Sequence, residues 1–271
     1  MLAGMSEPSQ DRVAVVTGAG RGIGRACAVR LAAAGFDVAV LDLDLRSGAR
    51  YEGEPDGVTT EDVEAAGRRA LGVQVDLTDR DATHAAVDRA AAELGRIDVV
   101  VNVAGGAITP YARSTPTLTT AEDFKTLIDV NLMSTIHVCQ AAVPHLRAAG
   151  GGAIVNTAST AAFTVFPDGS NSAYAMTKAA VAHWSRHLAA ELGPDGIRVN
   201  MIAPGITLTG RVVEESAQTG HADRAISEVP LRRLGQPDDV ARVVEFLATD
   251  LSGFVTGRCI PVDGGWVLNP S

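Results

Sequence analysis

Thr17-Gly18-Ala19-Gly20-Arg21-Gly22-Ile23-Gly24 follows directly on the apolar run Val13-Ala14-Val15-Val16 and opens at once into the Ala, Cys, Val and Leu pattern of a helix. In a strand, glycine turn and helix of this kind, glycines let the backbone turn tightly and come close to a ligand. The first N–H groups of the helix, at the positive end of its dipole, then offer a site for an anion. Gly18, Gly20, Arg21, Gly22, Ile23 and Gly24 are therefore candidate contacts to the pyrophosphate of a dinucleotide. An ordinary glycine-rich turn has the same composition. What separates the two is Asp42, at the end of the second apolar run and about twenty residues further on, where a carboxylate can hold a ribose diol.

The same carboxylate repels a 2′-phosphate in a poorly screened pocket, which favours NAD over NADP. Arg21 pulls the other way, because a guanidinium beside the turn can pair with such a phosphate. The acid is weighed more heavily, since it meets the diol directly. Asp76, in Val75-Asp76-Leu77 at the end of the third apolar run, is placed either to accept from an adenine amino group, with Leu77 beside it, or to cap the helix that begins near Asp79. Both readings stay open.

Outward from the turn, short β-branched runs recur at 13–17, 38–41, 71–75, 99–103, 154–157, 199–202 and 259–262, with helical stretches at 24–34, 83–93, 121–149, 173–192 and 237–247 between them. Continuous apolar strands alternating with helices predict a doubly wound α/β fold, a parallel sheet of about seven strands covered on both faces. No linker divides the chain, so a single domain over 11–271 is expected, preceded by a flexible tail at 1–10. Two stretches read as long loops: 45–60, between the second strand and its helix, and 208–230, the core of a candidate lid at about 206–230.

The chain has 271 residues, of which 46% are apolar, and a formal charge of -9, with 32 Asp and Glu against 23 Lys and Arg. That length permits a substantial core, and that charge argues against a general nucleic-acid binder. Cys27, Cys139 and Cys259 stand far apart and suit neither a disulfide framework nor a zinc finger. Among six histidines only His183 and His187 share a helical face, and a surface pair is expected there, with no metal. No basic leader precedes an apolar stretch and no run reaches the ~18 apolar residues of a spanning helix, so a cytoplasmic protein with no membrane partner is expected.

Tyr174 and Lys178 lie four apart in Tyr174-Ala175-Met176-Thr177-Lys178 and share one helical face. A phenol is a poor base near neutral pH, and a neighbouring ammonium stabilises its anion. Ser159, closing the run Ile154-Val155-Asn156-Thr157-Ala158-Ser159, puts a hydroxyl at the carboxyl edge of the sheet, where ligands bind in open α/β folds. Asn131 either holds a water linking Lys178 to solvent or is a core amide satisfied by backbone. In Asn102-Val103-Ala104-Gly105 the glycine admits a flat ligand close to the fourth strand.

Taken in order, these motifs resemble the short-chain dehydrogenase/reductase family. The matching elements are the glycine turn, Asn102-Val103-Ala104-Gly105, Asn131, Ser159, Tyr174-x-x-x-Lys178, Pro204-Gly205, Arg233-Leu234-Gly235-Gln236-Pro237 and Val262-Asp263-Gly264-Gly265. The resemblance covers residues 11 to 266 and implies a Rossmann-like fold. It implies that Ser159 orients a substrate oxygen, Tyr174 exchanges its proton, Lys178 lowers the phenol pKa and holds the nicotinamide ribose, and Asn131 completes a proton relay. It also implies cofactor contacts from Asn102, Ala104, Gly105, Pro204, Gly205, Thr207 and Thr209, and assembly as a homotetramer, with a dimer second. Three features depart from the family pattern: Val103 replaces an asparagine, two extra residues lie between Ser159 and Tyr174, and the loop after Asp42 is long.

The leading expectation is an NAD(H)-dependent oxidoreductase that interconverts a secondary alcohol and its ketone. The apolar candidates Ala107, Ile108, Phe163, Val165, Phe166 and Leu208 suggest a lipophilic or cyclic substrate. An NADPH-dependent reductase of 3-oxoacyl thioesters is the first alternative, against which Asp42 and the negative charge both speak. A dinucleotide-sensing protein without catalysis is the second, and the intact Asn131, Ser159, Tyr174 and Lys178 set speaks against it.

Overall fold

A computed structural model describes residues 12–51, 53–219 and 221–268; the expected tail at 1–10 lies outside them. Seven parallel strands form one sheet: β1 (Val13–Thr17), β2 (Asp37–Asp42), β3 (Ala70–Gln74), β4 (Val99–Asn102), β5 (Gly152–Thr157), β6 (Ile197–Pro204) and β7 (Cys259–Val262). Their order is β3-β2-β1-β4-β5-β6-β7. The chain runs outward from β1 to one edge, returns, and builds the other half from β4. The crevice between the carboxyl ends of β1 and β4 is thus the topological switch point, where open α/β sheets bind ligands. The register sets Thr17 beside Asn102 and Asn102 beside Asn156, so the glycine turn and the two strand ends that follow lie side by side.

Helices α1 (Gly22–Ala33), α2 (Thr59–Ala65) and α9 (Pro237–Ala248) cover one face, and α3 (Arg80–Leu94), α5 (Ser134–Ala148) and α6 (Ser172–Leu192) the other. β1, buried at all five positions, has apolar cores on both sides, which accounts for its unbroken β-branched sequence. The cap of α3 is Asp79, whose carboxylate accepts from Ala82 N at 3.0 Å. Asp76 instead closes a local turn by accepting from Thr78 N and Thr78 Oγ1, so the capping alternative for Asp76 does not hold.

Two expectations about elements need correction. The stretch 208–230 is not a loop but carries two helices, α7 (Gly210–Thr219) and α8 (His221–Glu228). Its Ala, Glu and Gln content favours helix, and Ala225, Val229 and Leu234 bury themselves with Ile206, Leu208 and Trp266. The helical pattern at 121–149 is not continuous either. α4 (Ala121–Leu127) and α5 are joined by a single wide turn of π-helix, Ile128–Met133.

Candidate active site

The glycine turn is tight because nothing larger fits. A Cβ on Gly24 would stand 2.1 Å from the Gly18 carbonyl oxygen, and one on Gly18 would stand 2.8 Å from the Ala104 backbone, so β1, α1 and the segment after β4 close on each other at these points. Thr17 joins them further, its Oγ1 accepting from Val103 N and Ala104 N at 3.1 and 3.3 Å. Asp42 reaches back from β2: Oδ2 accepts from Gly20 N at 2.8 Å and Oδ1 from Asp44 N at 3.0 Å. Its carboxylate therefore lies against the turn, at the edge where an adenosine ribose would lie. Arg21 stacks its guanidinium on the Tyr51 ring, 4.5 Å from the centroid, which gives it a partner in the loop after β2.

Past the switch point, β5 ends in Thr157 and leads to Ser159, and α6 carries Tyr174 and Lys178 across from it. Ser159 neighbours the Tyr174 phenol, and its Oγ accepts from Ala161 N at 3.2 Å. Burial raises the phenol above its ordinary value of 10.0, while the neighbouring Ser159 hydroxyl and the positive charge of Arg211 pull it down. Lys178 is 2% exposed, donates to the Thr157 carbonyl at 2.8 Å and has its pKa pushed down to about 8 by burial. Its Nζ lies 5.9 Å from the centre of the Tyr174 ring. A phenol, a hydroxyl and an amine thus meet at the carboxyl edge of β5, a set that can orient a carbonyl or hydroxyl oxygen and exchange a proton with it.

Asn131 sits within the π turn and is fully buried. Its amide is committed to backbone: Oδ1 accepts from Gly106 N at 2.8 Å, and Nδ2 donates to the carbonyls of Gly106 and Leu127. A Cβ on Gly105 would stand 2.4 Å from that Oδ1, so the glycine is what lets the amide in. Asn102 points its amide away from the crevice into the layer of α5 and α6. Nδ2 donates to Asn156 Oδ1 at 2.9 Å, and Asn156 Nδ2 donates to Ser185 Oγ at 2.9 Å. Leu77 packs into the core on that face, and its carbonyl meets His137 Nδ1 at 3.1 Å. Thr207 and Thr209 lie after Pro204-Gly205 and before α7, with Thr209 beside Gly22.

The pocket beside Tyr174 is lined by Ala107, Thr109, Ser114, Leu127, Asn171 and Ala173. Of the apolar candidates only Ala107 is in this lining. Phe163 packs into the core near Ala158 and Met201, Val165 is 86% exposed, Phe166 lies against Trp266, and Leu208 joins the cluster under α8. The extra residues between Ser159 and Tyr174 are tied down by Asp168, which accepts from the Tyr111 hydroxyl at 2.5 Å. Sequence reasoning missed Arg211 and Glu54; no motif marks either, because both reach the crevice from the segments read as loops.

A family model described as "Enoyl-(Acyl carrier protein) reductase" matches residues 18–267. Motif order, fold and family match agree. The chain belongs to the short-chain dehydrogenase/reductase family. It is 40% identical to the cyclohexanol dehydrogenase of Rhodococcus sp. (strain TK6), over 95% of this chain and 97% of that one. Identity to the cis-4-hydroxycyclohexanecarboxylate dehydrogenase of Sinomonas cyclohexanicum is 38%, over 97% and 99% of the two chains. Among solved structures, a carveol dehydrogenase from Mycobacterium avium in complex with NAD superposes with a TM-score of 0.84 at 31% identity, covering 95% of this chain and 98% of that one.

The residues of this dehydrogenase/reductase fit a nicotinamide dinucleotide. The glycine turn forms a cradle that any Cβ would fill. Among the described residues three buried hydroxyls have no hydrogen-bond partner, Ser170 Oγ and two near the crevice: Ser47 Oγ, pressed against Gly20 beside Asp42, and Thr157 Oγ1, on the residue whose carbonyl holds Lys178. Buried polar atoms of this kind want a partner, and the hydroxyl-rich ends of a dinucleotide can provide one. Among the described residues no cluster of His, Cys, Asp and Glu is arranged to hold a metal, and His183 and His187 are exposed, with their Nε2 atoms 3.3 Å apart.

Proposed function

We propose that this chain is an NAD(H)-dependent dehydrogenase that interconverts a secondary alcohol, cyclic or otherwise lipophilic, with its ketone. The observation that carries the reading is the meeting of the Ser159 hydroxyl and the Tyr174 phenol at the carboxyl edge of β5, with buried Lys178 one turn along the same helix. Ser159 orients the substrate oxygen and Tyr174 exchanges a proton with it. Lys178 holds the nicotinamide ribose. Gly18, Gly20, Gly22, Ile23 and Gly24 hold the pyrophosphate, and Asp42 holds the adenosine ribose and selects against a 2′-phosphate. When bound, a nicotinamide would supply the hydride acceptor for the carbinol hydrogen, and in the oxidative direction Tyr174, as its phenolate, takes the hydroxyl proton.

Relatives named for cyclohexanol and for cis-4-hydroxycyclohexanecarboxylate support a ring-bearing alcohol as substrate. The pocket beside Tyr174 suits one with a polar substituent, since Thr109, Ser114 and Asn171 stand among its apolar residues. The active form is a homotetramer. The test is the initial rate of cyclohexanol oxidation with NAD and with NADP, for the wild type and for Tyr174→Phe. The expected result is faster turnover with NAD and a loss of at least ~100-fold in the variant, with NADH affinity near normal. Undiminished turnover in Tyr174→Phe defeats the mechanism, and preference for NADP defeats the role of Asp42.

A further inference from the structure

The N-terminus of α1, where this fold receives the pyrophosphate, already holds a carboxylate from the chain itself. Glu54, in the loop between β2 and α2, accepts from Gly22 N through Oε2 at 3.0 Å and from Gly210 N through Oε1 at 2.8 Å. Gly22 is the first residue of α1 and Gly210 the first of α7, so one side chain satisfies the free leading N–H of both helices. Both helix dipoles present their positive ends to it. The donors and charge that suit this carboxylate are the ones that suit a phosphate oxygen.

The surrounding loop is built to hold Glu54 there. Arg25, buried on α1, donates to the carbonyls of Pro55, Asp56 and Gly57 and to the Asp62 carboxylate, and Thr59 Oγ1 donates to Ala19 O at 2.6 Å. On the other flank, Tyr51 takes the Arg21 guanidinium on its ring. Gly210 lies so close that a Cβ there would stand 2.5 Å from Tyr51 Cβ and 2.8 Å from Glu54 Cγ. With residues 55–57 fixed by Arg25, Glu54 can leave the α1 terminus by rotating its own side chain while the loop stays in place.

We propose that Glu54 is a resident anion that competes with the dinucleotide for the N-terminus of α1, so that cofactor entry requires its carboxylate to turn out and cofactor release is assisted by its return. This rests on the reading of the chain as a nicotinamide-dinucleotide enzyme. Gly22 N–H cannot donate fully to two anions, and a carboxylate left beside a pyrophosphate repels it. Glu54 therefore weakens cofactor binding and links it to α7, whose first N–H loses its partner when the carboxylate leaves.

The test is a fluorescence titration of the wild type, Glu54→Gln and Glu54→Ala with NADH, alongside calorimetric titration with adenosine, which lacks phosphates. The expected result is NADH binding at least fivefold tighter in Glu54→Ala, a smaller gain in Glu54→Gln, and no gain for adenosine. Melting temperatures without ligand should fall in Glu54→Ala and recover at saturating NADH; if that variant does not fold, Glu54→Gln and its NADH affinity carry the test. Unchanged or weaker NADH binding overturns the proposal, as does an equal gain for adenosine, which would mean a loosened loop. NADH binding by none of the three proteins overturns the dinucleotide reading itself, and the competition with it.

Discussion

Tyr174 is under two opposed influences, burial that favours the neutral phenol and the Ser159 and Arg211 contacts that favour its anion, with burial the larger. On the proposed mechanism alcohol oxidation uses the phenolate and ketone reduction the phenol. The phenolate fraction grows as pH approaches a pKa held above 10.0, so oxidation climbs with pH through the alkaline range while reduction does not. Arg211→Gln removes a charge that favours the anion, so the oxidation limb moves to higher pH with reduction near neutral pH changed little. Initial rates in both directions across pH check this, and a limb that does not move removes Arg211 from the account. Lys178, with its pKa pushed down to about 8, still carries its charge at neutral pH but begins to lose it within the same alkaline range. The oxidation limb is therefore expected to be shallower than that of a single titrating group.

At the scale of elements, the π turn between α4 and α5 and the Gly105-Gly106 segment hold one another through Asn131. Asn131→Ala leaves Gly106 N–H buried without its acceptor, a cost of about 1–3 kcal/mol. Urea midpoints measure that loss, and an unchanged midpoint shows that the wide turn is held by something else. Little of this was legible in the sequence, because a π turn inserts one residue without breaking the apolar pattern, and Asn131 alone gives no sign of it. The seven strands were legible for the opposite reason: each carries a short run of mostly apolar, often β-branched residues, unbroken in the doubly covered β1, and the polar residues among them are too few to break the pattern. α7 and α8 were not, since Gly210 and the polar residues after it read as loop while the apolar partners Ile206 and Trp266 lie outside the segment. The reactive set was legible through fixed spacings, Tyr174 to Lys178 and strand end to Ser159. Glu54 has no such spacing, and its position follows from the Arg25 contacts, which only the fold brings together.

For the molecule as a whole, the all-parallel pairing gathers every strand's carboxyl end on one side and the switch between β1 and β4 opens a crevice there, so the glycine turn, Ser159 and Thr207 lie at one edge although they are far apart in sequence. Away from it the surface carries large apolar side chains, Leu118, Leu251 and a fully exposed Phe254 among them. The proposed homotetramer gives these a reason, and light scattering should return about four times the 28.0 kDa chain mass. A monomeric mass at working concentration rejects it. Beneath the crevice, the amides of Asn102 and Asn156 and the Ser185 hydroxyl run as one buried chain from β4 through β5 to α6. It fixes the strand that ends at the nucleotide crevice against the helix that bears Tyr174 and Lys178, with no loop between them to absorb an error. Tolerance to change is then uneven across the protein: the floor of the site has little room for substitution, and a change of specificity is expected from the rims at 107–114, 164–171 and 206–214.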